Sequence, residues 1–287
     1  MKYQDLYNYG KEKLTAAGIN ESELDARLLL EAVCGTSRHN LLVNGEKEIP
    51  TGQCQTYVNH ITKRESRIPL QYILGEQEFM GLKFIVTPST LIPRQDTETL
   101  VEEVKRHLHD GQTILDMCTG SGCILLSLLF YSNNCLGTGV DISADALDVA
   151  IENEKYITAL PRAAEPIKPI KWINSDLFTK VEGRYDIVVS NPPYIPTEIL
   201  ATLAPEIKNH EPLSALDGKQ DGLHFYREII SQSMEHLNPG GMLFLEIGFD
   251  QADAVTSLMA ESNFHDTTII NDLSGNNRVI YGRRTNA

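Results

Sequence analysis

Ile114-Leu115-Asp116-Met117-Cys118-Thr119-Gly120-Ser121-Gly122-Cys123 reads as a strand that runs into a glycine turn and opens at once onto a helix. The apolar run over 113–117 suits a strand buried on both faces, and residues 122–131 follow as a helix. Glycines at 120 and 122 permit a tight turn and let a ligand approach the backbone closely. The helix N-terminus behind them favours polar or anionic groups. The complete G-x-G-x-x-G is absent, and no Lys-Ser/Thr follows as a phosphate-binding P-loop requires. Those absences weaken both a dinucleotide and a nucleoside-triphosphate reading. Two glycines alone are also compatible with a purely structural turn.

Outward from this turn, strands and helices alternate. Strands are expected over 136–141, 170–174, 185–190 and 242–247, with a terminal pair over 267–271 and 278–282. Helices are expected over 144–154, 223–237 and 251–262, and residues 161–169 form the one loop-like insertion. Such alternation specifies an α/β fold, a doubly wound and mainly parallel sheet with helices on both faces. Residues 1–75 read instead as a helical bundle. Leu6, Tyr9, Leu14 and Ala17 give a first stripe. Asn20 with Glu23 resembles a capping box opening a second helix that carries Leu24, Leu28, Leu29 and Val33. Pro50 and Thr51 open a third helix, which Pro69 closes. Between them and the sheet, residues 76–92 read as a β-hairpin and linker, with 93–287 as the α/β domain.

Chemistry converges on the carboxyl ends of four strands, where open α/β sheets bind ligands. The first delivers the glycine turn. The second ends in Asp141, 19 residues beyond Gly122, placed to accept from both hydroxyls of a ribose. Capping of the helix that opens near Ser143 is the alternative for Asp141, and both roles can coexist. The third delivers Asp176, able to accept from an adenine amine, with Leu177 and Phe178 as an apolar wall. The fourth, Tyr185-Asp186-Ile187-Val188-Val189-Ser190, delivers Asn191-Pro192-Pro193-Tyr194. Two prolines stop the ladder and stiffen the backbone. Asn191 then offers an amide oxygen, Pro192 a carbonyl and Tyr194 an aromatic face. That set suits a planar group bearing an NH₂, and a nucleobase and a carboxamide are equally admissible.

Composition narrows the partners. Lys and Arg number 25 against 39 Asp and Glu, a net charge of −14, and no dense basic run offsets it. Nucleic acid is therefore disfavoured as the main partner. Five irregularly spaced cysteines argue for a reduced cytosolic setting, and neither they nor the eight His show metal-ligand spacing. No apolar run reaches membrane-spanning length, and the first residues lack the features of a signal peptide.

The combination of motifs resembles the class I S-adenosyl-L-methionine-dependent methyltransferases. More narrowly it is similar to the PrmC/HemK family of protein-(glutamine-N5) methyltransferases, over nearly the whole chain. Carrying the resemblance are Pro69–Gly75 (PLQYILG), residues 90–94 (TLIPR) with Asp96-Thr97-Glu98, and the glycine turn. So do residues 191–195 (NPPYI), 211–218 (EPLSALDG) with 221–223 (DGL), 245–248 (LEIG) and 272–275 (DLSG) with Arg278. The resemblance implies a Rossmann-like domain with a seven-stranded, mainly parallel sheet and an N-terminal bundle that recognises release factors.

It also implies methyl transfer from S-adenosyl-L-methionine, leaving S-adenosyl-L-homocysteine, to the glutamine of a release factor's Gly-Gly-Gln loop, by a monomer. The cofactor would meet Cys118, Thr119, Gly120, Ser121 and Gly122, then Asp141, then Asp176 and Leu177, with Asn191 at its methyl end. The glutamine would meet Asn191, Pro192, Pro193 and Tyr194, of which Asn191, Pro192 and Tyr194 would be catalytic. Competing readings are an adenine-N6 or cytosine amino-methyltransferase with the same tetrapeptide, and a non-catalytic cofactor-binding module. Two departures stand out. Met117 and Cys118 replace the family's Leu and Gly, and Lys219 stands where a second glycine is common. A Cβ at Cys118 calls for ordinary backbone angles there. Glu246 is expected to cap or pair with a neighbour, and Arg94 and Glu98 to clamp the site or pair with each other.

Overall fold

A computed structural model of the chain describes residues 1–162 and 165–285. It divides into two compact units, one of residues 1–76 with 204–210 and one of 77–203 with 211–287. Residues 163 and 164 of the expected 161–169 insertion lie outside the described residues, and its remainder carries no helix or strand.

The N-terminal unit holds helices α1 (Tyr3–Ala16), α2 (Ser22–Cys34), α3 (Arg38–Val43), α4 (Thr51–Glu65) and α5 (Leu70–Leu74). A later helix, Pro205–His210, packs with them although the sequence division assigned it to the α/β domain. Leu6 and Leu14 of α1, Ala26, Leu29 and Leu30 of α2, and Tyr57 and Ile61 of α4 form its core. Gly10 lets α1 approach α4, because a Cβ there would stand 2.0 Å from the Tyr57 hydroxyl. That hydroxyl donates to the Ala26 carbonyl at 3.1 Å. The expected cap at Asn20 is not made. The N-cap of α2 is Glu21, without a side-chain bond, and Leu24 is exposed. Pro69 does not close α4 but stands at the N-cap of α5. Both short helices, α3 and α5, were missed because neither spans enough turns to show a period.

Arg64 fastens this unit internally. The residue is 8% exposed, and its Nε donates to Asp25 Oδ2 at 2.7 Å while Nη1 and Nη2 donate to Glu206 Oε1 at 3.2 Å. Arg67 Nη1 reaches the same Glu206 oxygen at 3.1 Å.

The second unit begins with the hairpin β1 (Glu76–Phe79) and β2 (Leu82–Ile85). Met80 and Gly81 turn it with φ of 53° and 71°, the left-handed pair that a two-residue hairpin turn requires. The sheet follows as α6 (Gln95–His107), β3 (Thr113–Met117), α7 (Cys123–Phe130), β4 (Leu136–Asp141), α8 (Ala144–Thr158), β5 (Lys171–Asn174) and β6 (Tyr185–Ser190). After α9, the Pro205–His210 helix, come α10 (His224–His236), β7 (Leu237–Glu246), α11 (Ala252–Glu261), β8 (Phe264–Asn271) and β9 (Asn277–Arg284).

The sheet has seven strands in the order β5-β4-β3-β6-β7-β9-β8, parallel through β7, with β9 antiparallel to both its neighbours. The expected seven-stranded, mainly parallel α/β sheet is the one observed. Side chains alternate between its faces as the pleat demands. Ile114, Ile187, Val189, Met242 and Phe244 pack with α6, α7 and the hairpin. Leu115, Met117, Val188, Leu243 and Leu245 pack with α10 and α11. Strand β7 starts at Leu237, where a helix was expected to continue, and Pro239-Gly240-Gly241 forms a bulge before Met242.

Removing Arg64 leaves the buried Asp25 carboxylate without its cation, while Arg67 still holds Glu206. Arg64→Ala is expected to lower stability by about 3–5 kcal/mol, read by urea unfolding monitored at the N-terminal unit. A loss below about 1 kcal/mol would mean that the pair behaves like a surface bridge.

Candidate active site

Strands β3 and β6 are parallel neighbours, and Met117 is the register partner of Ser190. The residues that follow, Cys118 and Asn191, therefore leave the sheet side by side, at the point where strand order reverses. Ser190 Oγ donates to the Met117 carbonyl at 2.6 Å and ties the two exits together.

A cavity of about 220 Å³ opens there. Of the predicted site residues, Cys118, Thr119, Gly120, Ser121, Asp141, Asp176, Leu177, Asn191 and Pro193 line it. Gly122, Pro192 and Tyr194 are not among the lining residues. Gly122 is instead the N-cap of α7 at φ 77°, with Trp172 3.1 Å from where its Cβ would be. Pro192 is buried. The Tyr194 hydroxyl donates to Glu246 Oε1 at 3.4 Å.

The turn suits a ligand that lies against backbone. A Cβ on Gly120 would meet nothing within 4 Å, so the space above it is open. Asp141 braces the turn from β4. Its Oδ2 accepts from Gly120 N and its Oδ1 from Ser143 N, both at 2.9 Å. Asp141 is therefore not the cap of α8 but holds the amide of the residue that is, and its carboxylate still lines the cavity. Burial raises the Asp141 pKa against the pull of the Ser143 and Gly120 amides. Ser143 itself caps α8, accepting from Ala146 N at 3.2 Å.

Backbone strain gathers here. Cys118, Leu177 and Lys219 all line the cavity, with φ of 61°, 43° and 69°. The ordinary angles expected at Cys118 are not found: the residue keeps the left-handed backbone that glycine adopts freely, and so does Lys219. Each such residue costs on the order of 1–2 kcal/mol. Burial pushes the Cys118 thiol up, so it is held as a neutral packed group.

Asn191 Nδ2 donates to Thr97 Oγ1 at 3.3 Å. With its NH₂ directed to α6, its carbonyl oxygen is the atom left for a ligand. The rest of the tetrapeptide is held from behind. Gln251 Nε2 donates to the Tyr194 carbonyl at 3.0 Å. Gly218 and Gly222 lie against the same residue, where a Cβ would stand 2.7 Å from Tyr194 Cα and 2.4 Å from its carbonyl oxygen. That contact explains why the 211–222 stretch carries those glycines.

Arg94 and Glu98 do not pair with each other. Arg94 Nη2 donates to the buried Glu211 at 2.5 Å, and Glu98 accepts from Met80 N at 2.7 Å. Four residues that sequence reasoning gave no role also shape the site: Thr97, Asn153, Glu211 and Gln251. Asn153, fully buried on α8, donates to the Ser121 carbonyl at 2.9 Å and exchanges two bonds with Ile85. Only an acceptor map of the folded backbone reveals these partners. Among the described residues no cluster of His, Cys, Asp or Glu is arranged to hold a metal.

Two buried carboxyls stand behind the cavity. Asp116 accepts from the Thr119 hydroxyl at 2.5 Å, while its Oδ1 has no partner. Burial pushes its pKa up to about 7. Glu246 is 2% exposed, its Oε2 has no partner, and burial likewise takes it to about 7. A raised carboxyl pKa favours folding at low pH. As pH climbs from about 4 to about 7 the unfolded chain ionises first, and this contribution is lost. Asp116→Asn should therefore flatten the decline of unfolding free energy over that interval, measured by denaturant titration at several pH values. An unchanged slope would assign the decline to other groups.

The chain matches the PrmC N-terminal domain model over residues 5–75 and the methyltransferase small domain model over residues 94–203. It is 40% identical over 271 residues to the release factor glutamine methyltransferase of Geobacter sulfurreducens, covering 94% of this chain and 92% of that protein. The enzyme of the same name from Clostridium botulinum is 38% identical over 289 residues, 99% of this chain and 100% of its own. Among solved structures, a methyltransferase from Pyrococcus furiosus shares the fold with a TM-score of 0.54 at 16% identity, over 78% of this chain and 99% of that one. By identity sustained along nearly its whole length, the chain belongs to the release factor glutamine methyltransferase family.

Proposed function

We propose that this protein transfers the methyl group of S-adenosyl-L-methionine to the side-chain nitrogen of the glutamine in a release factor's Gly-Gly-Gln loop. The observation that carries the reading is the Asn191 amide. Its NH₂ is engaged by Thr97, so its oxygen is free to accept, beside a glycine turn open enough for a nucleoside cofactor to lie on the backbone. Support for a glutamine over a nucleobase comes from the relatives' substrate and from the net charge of −14.

Residues 118–121 would hold the methionine and ribose end of the cofactor, with Gly122 shaping the turn behind them, Asp141 the ribose hydroxyls, and Asp176 with Leu177 the adenine. When bound, S-adenosyl-L-methionine supplies a methyl group on a sulfonium sulfur and leaves as S-adenosyl-L-homocysteine. The protein's task is then the nucleophile. A carboxamide nitrogen is weak because its lone pair is delocalised into the carbonyl, and no base removes its proton before attack at neutral pH. Asn191 Oδ1 and the Pro192 carbonyl accept its two hydrogens, which orients the lone pair and stabilises the positive charge that develops on nitrogen. The proton departs to water after the N–C bond has formed. Tyr194 confines the amide plane. Asn191, Pro192 and Tyr194 are the catalytic set in this reading, with Pro193 completing the wall.

The N-terminal unit would dock the release factor, consistent with its match to the PrmC N-terminal domain. The protein would act as a monomer in the cytosol. Among the described residues no helix is long and apolar enough to cross a membrane.

Asn191→Ala should cut kcat by roughly 10²–10³-fold, as loss of one preorganised polar contact does, with cofactor affinity nearly unchanged. Radiolabelled methyl transfer to purified release factor, its loop Gln→Ala variant, and DNA tests the assignment. Label is expected in the intact factor alone. Label in DNA, or persisting in the loop variant, sinks it.

A further inference from the structure

Two unmet hydrogen-bonding needs lie behind the tetrapeptide. Thr97 is 2% exposed, and its oxygen accepts from Asn191 Nδ2 at 3.3 Å. Its own hydroxyl proton must therefore find an acceptor inside the protein. Glu246, at the carboxyl end of β7, is 2% exposed and has one carboxylate oxygen, Oε2, without a partner. The Thr97 hydroxyl lies near enough to hold the pKa of this carboxyl down, short of a formed hydrogen bond. The other oxygen, Oε1, accepts from the Tyr194 hydroxyl at 3.4 Å. Asn191 and Tyr194 are the two ends of the tetrapeptide, and one buried side chain stands behind both.

A carboxylate only accepts, and that fact sets the direction of every bond in the series. If Glu246 accepts a hydrogen bond from the Thr97 hydroxyl, the Thr97 oxygen can only receive from Asn191. Asn191 must then turn its NH₂ inward and its oxygen outward. Were Glu246 a donor, Thr97 could donate to Asn191 instead, the amide would turn over, and an NH₂ would face the incoming NH₂. Burial raises the Glu246 pKa to about 7 and Arg278 opposes it, so the accepting carboxylate prevails above that pH; Arg278 is itself braced by Asp272 at 3.1 Å and Asp96 at 3.4 Å.

We propose that Glu246 is a positioning residue for methyl transfer: it accepts hydrogen bonds from the Thr97 and Tyr194 hydroxyls, and through Thr97 it turns the Asn191 oxygen toward the substrate. Neither Glu246 nor Thr97 touches the reacting atoms in this scheme. The inference deepens the proposed function and rests on it for the identity of the substrate, but not for the orientation of Asn191.

Thr97→Val removes the hydroxyl at nearly constant volume, Thr97→Ser keeps it, and Glu246→Gln introduces a donor where only an acceptor stood. All three are made in the full chain. The first readout is the side-chain amide signal of Asn191 in ¹⁵N spectra without substrate. It should shift and lose exchange protection in Thr97→Val and Glu246→Gln, and hold in Thr97→Ser. The second is steady-state methylation of purified release factor. There kcat should fall by about 10–100-fold, as when an orienting outer partner is lost, while calorimetric affinity for S-adenosyl-L-homocysteine stays level and Thr97→Ser recovers most of the rate. An Asn191 signal in Thr97→Val that matches the wild type overturns the proposal, as does equal kcat in the Val and Ser variants of an active enzyme. A wild-type protein that leaves release factor unlabelled defeats the functional reading instead, and the amide spectra still decide the role of Glu246.

Discussion

The parallel register of β3 and β6 is the constraint on which the site depends. Met117 stands opposite Ser190, so the glycine turn and the Asn-Pro-Pro-Tyr segment leave the sheet as neighbours. A slip of one residue would exchange the two faces, sending Leu115 and Val188 out of one core and Ile114 and Ile187 out of the other. The cost of losing that burial, about 1.5–3 kcal/mol for each large side chain, keeps the register. Much of the second unit then serves to hold the two exits. Asp141 and Asn153 brace the glycine turn from β4 and α8, while Gln251, Gly218 and Gly222 brace the tetrapeptide.

The site concentrates costs that the flanking sheet offsets. Cys118, Leu177 and Lys219 hold left-handed backbone around the cavity. Asp116 and Glu246 are carboxyls so buried that proton loss is opposed. Local strain and desolvated acids survive only where surrounding packing over-determines the geometry. Here that packing is two apolar layers, one on each face of the sheet. The preorganisation that results is what a poor nucleophile such as a carboxamide requires, because its capture relies on oriented acceptors more than on a base.

Much of this was legible in local sequence. Apolar runs marked β3 and β6, and the residues after the strands named nine of those that line the cavity. Where the pattern is short or the contact non-local, the sequence misleads. Helices α3 and α5 are too brief to show a period. Pro69 reads equally as the end of one helix and the start of the next. The bond from Asn191 to Thr97 joins residues 94 apart, and that from Asn153 to Ser121 joins residues 32 apart. In the chain itself Cys118 does not announce a left-handed backbone, because glycine is absent there; the one signal was the glycine that the family carries at that place.

By itself, then, the sequence determined the architecture and the chemical inventory: which segments are strands, that they alternate with helices, and that glycines, acids and an Asn-Pro-Pro-Tyr segment stand at strand ends. Those follow from side-chain polarity, period and backbone stiffness, all properties of neighbours in the chain. Tertiary structure alone decided how the inventory is aimed. It set Asn191's NH₂ on Thr97, turned the Tyr194 hydroxyl to Glu246, and packed residues 204–210 into the N-terminal unit. The physical reason is that hydrogen-bond direction and burial depend on which distant group closes the contact, and a linear pattern carries no record of that.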